Sequence, residues 1–78
     1  MKLLFTKHAL ERMDERGIAH SEVRDALHFP LKVNRQNDLY VAKRIRANGH
    51  LLIVVHLVQE GFVRVITVID TSKVSKYL

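Results

Sequence analysis

The chain has 78 residues, with thirteen Lys and Arg against eight Asp and Glu and a net charge of +5. A chain of this length makes one domain, residues 1–78, that buries only about 60% of its unfolded surface. It has no cysteine, which excludes disulfides and thiolate metal sites and suits a reducing cytoplasm.

MKLLF opens the chain without an apolar h-region behind it, so no signal peptide is expected. Lys2–Phe5 fits a short strand. Thr6 is a reasonable N-cap and Gly17 a C′ stop, which predicts a first helix over Lys7–Arg16. Ser21 is expected to cap a second helix, with Glu22 in its first turn and Val23, Ala26 and Leu27 spaced i, i+3, i+4. Pro30 ends it, because Pro disfavours helical geometry at Phe29 and lacks an amide proton.

Beyond Pro30 the period changes to two. Leu31–Gln36 reads as a half-buried strand, and Asn37-Asp38 as a turn. Leu39–Arg46 is a second strand, and Ala47-Asn48-Gly49 holds the strong hairpin dipeptide Asn-Gly. His50–Val58 is nearly all apolar, and its longest unbroken run, Leu51–Val55, falls far short of the roughly 20 residues of a membrane span. No membrane partner is therefore expected. Gln59-Glu60-Gly61 turns the chain into Phe62–Ile69, a β-branched strand. The tail DTSKVSKYL has no strong period. The fold class is α+β: two N-terminal helices on one face of a roughly four-stranded antiparallel sheet.

At 3.6 residues per turn, Ala9, Leu10 and Met13 form the buried stripe of the first helix, and His8, Arg12 and Arg16 lie along one margin of it. Two readings compete for that edge. One is an anion site, in which guanidiniums fork onto phosphate oxygens and an imidazole moves a proton near neutral pH. The other is local pairing of Arg12 and Arg16 with Glu11, Asp14 and Glu15, worth a few tenths of a kcal/mol.

The strands carry the remaining charges. Tyr40, Ala42, Arg44 and Arg46 share one face, as do His50, Leu52, Val54, His56 and Val58. The all-apolar face, Leu51, Ile53, Val55 and Leu57, is expected beneath the helices. The open face then collects Tyr40, Arg44, Arg46, His56 and Arg64, which is either a basic RNA-binding patch with one aromatic or an ordinary solvated surface. No metal is expected: His50 and His56 are about 20 Å apart along a strand, and His20 and His28 flank a helix. No phosphate loop or nucleophile elbow is present either, and no cofactor is expected.

FTKHALERMDERGIAHSEVRDAL, then a Pro, YVAKRI and a closing VITVIDTSK, resemble a small prokaryotic family of unassigned function marked by a His-Ala-x-x-Arg-Met helix. The resemblance spans residues 5 to 76. It rests on His8-Ala9, Arg12-Met13, Arg16-Gly17-Ile18 and Ser21-Glu22 falling in order. It implies the fold of RelE-like and barnase-like ribonuclease toxins, a metal-independent ribonuclease activity and an antitoxin partner. Carried over by position, His8 and Arg12 match the signature helix with Arg16 beside them, Arg44 or Lys43 a basic position in the second long strand, and Thr67 or Thr71 a polar position near the end.

The expectation is thus a toxin-like, RNA-directed protein of the cytoplasm. His8 is its general acid or base, Arg12 and Arg44 are its phosphate clamps, and Arg16, Lys43, Arg46, His56, Arg64 and Tyr40 are secondary RNA contacts. The alternative is a non-catalytic RNA- or protein-binding module. A homodimer through edge strands is compatible with either.

Overall fold

The computed structural model describes residues 2–78. Eight elements follow in order: β1 (Leu3–Phe5), α1 (Lys7–Arg16), α2 (His20–His28), β2 (Lys32–Gln36), β3 (Leu39–Ile45), β4 (Leu51–Gln59), β5 (Phe62–Thr71) and α3 (Val74–Tyr77). The strands make one sheet in the order β1-β5-β4-β3-β2. The α+β class holds, with the helices on the sheet. The sheet has five strands and is mixed, because β1 pairs parallel to β5 while β2 to β5 form an antiparallel meander.

Local chemistry sets the helix ends. Thr6 Oγ1 accepts the Ala9 N–H at 3.0 Å, and the same hydroxyl donates to the Ile66 carbonyl at 2.6 Å. One residue therefore starts α1 and pins it to β5. Gly17 closes α1 at φ 61°, and the Ile18 N–H reaches back to the Met13 carbonyl at 2.8 Å, the left-handed stop that glycine favours. Ile18 is then buried in the core. That anchoring starts α2 earlier than the sequence suggests: its cap is Ala19, not Ser21. The Glu22 carboxylate supplies what alanine cannot, accepting the Ala19 N–H at 2.8 Å. Phe29 leaves helical geometry at φ −132°, ahead of Pro30.

The face assignment differs from the expected one. Ala9, Met13, Ile18, Val23 and Ala26 pack against Leu52, Val54, Val65 and Val68. The helices therefore cover the β4 face that carries His50 and His56, and the all-apolar face of Leu51, Ile53, Val55 and Leu57 is turned away from them. β4 is apolar on both faces over its first half, so its period cannot choose between them, and a one-residue difference reverses every side chain. The neighbouring strands decide. Ala42 of β3 lies opposite Val54 and is 1% exposed, a small side chain under the helix layer. In β5 the register shifts between Val55 and His56 of its partner: Thr67 faces Val55 and Val65 faces His56. This bulge lets Val63, Val65, Val68 and Asp70 all turn to the helix side, which strict alternation along Phe62–Ile69 forbids.

Among the described residues no helix is long and apolar enough to cross a membrane.

Candidate functional site

α1 lies over β5 and β1, and α2 over β3 and β4. This division scatters the residues expected to act together. His8 and Arg16 are exposed and Arg12 half-buried on α1. Arg44 stands on β3, two strands and roughly 10 Å from β5. Its guanidinium donates to the Phe29 carbonyl at 2.7 Å, closing the end of α2. Arg44 lines two clefts, one of about 340 Å³ shared with Glu22, Asp25, Arg46 and Leu52 and one with Phe29, Pro30 and Leu31, and neither has His8 or Arg12 in its walls. His8, Arg12 and Arg44 do not converge.

The expected sheet patch does not form one open surface. Tyr40, Arg44, Arg46 and His56 do share a face, but α2 occupies the Arg44–Arg46 end of it. Arg64 lies on the opposite face, opposite Leu57, with its guanidinium over the Phe62 ring at 5.6 Å. Lys43 is also on that opposite face and donates to the Tyr77 carbonyl at 2.6 Å. His56 is 6% exposed. Its ring stacks on Tyr40, centroids 5.7 Å apart, and its Nδ1–H donates to the Val54 carbonyl at 3.1 Å. It is a core histidine. Tyr40 is half-buried between His56 and the Arg35 guanidinium, 5.4 Å from its ring.

Arg46 is withdrawn most completely. Its Nε donates to Glu22 Oε1 at 2.8 Å, Nη2 to Glu22 Oε2 at 3.1 Å and to the Gly17 carbonyl at 3.2 Å, and Nη1 to Asp70 Oδ2. Asp70 Oδ1 accepts His50 Nδ1–H at 2.7 Å. One guanidinium thus joins the end of α1, the start of α2, β3 and β5, with β4 added through His50. The Arg46 and Asp70 side chains are each 9% exposed. A cation so committed to two carboxylates has nothing left for a phosphate.

The electrostatics follow from these contacts. The hydrogen bond from Arg46 holds the Glu22 carboxyl below its usual range against a burial effect that opposes it. Burial alone would push Asp70 up, but the bonds from His50 and Arg46 outweigh it and lower it. Burial lowers the His56 imidazole, with the Val54 carbonyl opposing.

All three depressed groups bind protons more readily unfolded than folded, so all three lose stability on acidification. The His56 contribution is full above its unfolded pKa of 6.5 and is lost as pH falls below that. The Glu22 and Asp70 contributions go below their unfolded values of 4.5 and 3.8. Melting temperature followed against pH should fall in two stages. In His56→Phe, which keeps a ring beside Tyr40, the upper stage should vanish. A wild-type melting temperature unchanged from about pH 7.5 to 5 would contradict a neutral buried imidazole.

What stays uncommitted is the α1 edge. Among the described residues the ion pairs are Arg46 with Glu22 and Asp70, and His50 with Asp70. Glu11, Asp14 and Glu15 therefore leave Arg12 and Arg16 unpaired, and His8 has no hydrogen-bond partner among the described residues. The three groups stand one above the next, about 6 Å apart along the helix axis. No three His, Asp or Glu side chains among the described residues gather in a way that could hold a metal ion.

The sequence signals for the Glu22–Arg46–Asp70–His50 network were individually weak. Glu22 reads as a helix-dipole residue, and Arg46 and His50 as the ends of an Asn-Gly hairpin. Asp70 reads as the first residue of the aperiodic tail, and only the structure places it in β5.

No curated protein and no solved structure matches the chain. A family model described as Domain of unknown function (DUF4258) matches residues 5–70. That span runs from the pinned start of α1 to the Asp70 that holds Arg46, and the chain belongs to this family.

Proposed function

We propose that the chain is a small RNA-directed protein of the toxin-like class, contacting the phosphate backbone through the α1 edge of His8, Arg12 and Arg16. The observation that supports this is the contrast in commitment. The sheet cations Arg44, Arg46 and Lys43 are tied to carbonyls or carboxylates of the chain itself, whereas the α1 row is unpaired. Unpaired guanidiniums beside an open imidazole suit an RNA phosphate. In this reading Arg12 and Arg16 hold the phosphate, and Arg16 takes the place first expected of Arg44. The 2′-hydroxyl attacks phosphorus as the bond to the 5′-oxygen breaks; of the proton lost from the 2′-oxygen and the proton gained by the 5′-oxygen, His8 carries one and water the other.

The test uses the purified full chain, labelled single-stranded RNA and a chelator. Scission that persists in the chelator and yields cyclic-phosphate ends supports the reading. Salt-sensitive binding without scission favours the non-catalytic module. Absence of both scission and binding at low salt overturns the RNA assignment.

A further inference from the structure

We propose that the sheet face turned away from α1 and α2 is a docking surface for an acidic, amphipathic polypeptide segment. Its middle is aliphatic. Leu39 and Leu57 lie opposite each other on β3 and β4, as do Val41 and Val55, and exposed Ile69 of β5 lies opposite Ile53, which is itself buried. Leu39 and Ile69 are 39% and 41% exposed. α3 reaches only part of this face: Lys43 and Lys32 donate to the backbone oxygens of Tyr77 and Leu78.

The charge around that middle has one sign. Lys32, Lys43 and Arg64 stand on this face. None of them pairs with a carboxylate side chain; Arg64 is held by the Gln59 side-chain oxygen at 3.4 Å. The eight acids are elsewhere. Glu11, Asp14, Glu15, Glu22 and Asp25 are on the helices, Asp70 points to Arg46 on the helix side, and Asp38 and Glu60 sit in turns.

Leu and Val rows edged by Arg64, and by Lys32 and Lys43 whose ammonium groups meet backbone oxygens and no acidic side chain, complement a segment with an apolar stripe and acidic flanks. A second copy of the chain would set cation against cation. RNA would find aliphatic rows across the middle, and the aromatic rings of this face, Phe62 and Tyr77, lie at its margins with Arg64 and Lys76 over them. The inference is independent of the RNA reading, because it uses the opposite side of the molecule.

The probe is a synthetic helical peptide with leucines along one side and glutamates along the other, compared with its counterpart in which lysines replace the glutamates. The acidic peptide should bind the full chain. Leu39→Glu and Arg64→Glu should each weaken that binding at least ~10-fold, and His8→Ala should leave it unchanged. Arg64 is exposed, so its variant tests the surface even where a core-adjacent change disturbs folding.

The proposal is overturned if neither peptide binds, or if both bind equally. It is also overturned if sedimentation shows a dimer that Leu39→Glu dissociates, or if the same variants abolish binding of RNA or anionic vesicles in place of the peptide.

Discussion

His8→Ala is expected to slow RNA scission by about 10²–10⁴-fold, the usual contribution of a positioned acid or base, while RNA affinity stays close to wild type. The reason is a division of labour along one helix edge. The guanidiniums of Arg12 and Arg16 carry permanent charge and supply the Coulombic attraction; the imidazole contributes chiefly by moving a proton. Arg12→Ala and Arg16→Ala should do the reverse. They should weaken binding and flatten the dependence of log affinity on log salt by about one unit per lost phosphate contact. Single-turnover scission at saturating protein separates the two effects. Scission by His8→Ala at the wild-type rate would remove His8 from the chemistry, and a salt slope unchanged in both arginine variants would move the RNA site off α1.

His8, Arg12 and Arg16 were legible because helical spacing alone places them on one edge, and Thr6 and Gly17 mark the helix ends locally. The order of elements was legible for the same reason, since caps, Pro30 and the turn dipeptides act over a few residues. The failures that matter for the site were non-local. The face of β4 that meets the helices depends on Ala42 of a neighbouring strand and on a bulge in β5. The parallel pairing of β1 with β5 joins residues about sixty positions apart, which no local pattern encodes. Arg46, the residue after YVAKRI, looks like a free surface cation, and only the packing of α2 shows Glu22 twenty-four residues before it and Asp70 twenty-four after. A charge on a strand face is open to a ligand only where its own chain offers no counter-charge. Arg46 has two, in Glu22 and Asp70, and the α1 edge has none among the described residues.

Arg46→Met should destabilise the fold by about 3–5 kcal/mol, the cost of stranding a buried charge rather than the worth of an ion pair. A small domain has only about 5–15 kcal/mol to lose, so the urea midpoint should drop severely. Removing the guanidinium leaves Asp70, 9% exposed, with His50 alone, and leaves the Gly17 carbonyl without its donor. Lysine should rescue only part of the loss, because a point charge cannot fork onto Glu22 while also reaching Asp70 and Gly17. Removing the acids as well should recover much of it: Arg46→Met combined with Asp70→Asn and Glu22→Gln leaves neutral groups in place of stranded charge. The sum of the single effects should therefore exceed the triple variant's by well over 1 kcal/mol, the coupling expected of one connected network. Additive effects, or a single-variant cost below about 1 kcal/mol, would mark these contacts as an ordinary exposed pair. The helix layer would then be held to the sheet chiefly by the apolar contacts of Ala9, Met13, Ile18, Val23 and Ala26, with the Thr6 and Arg44 hydrogen bonds to Ile66 and Phe29 beside them.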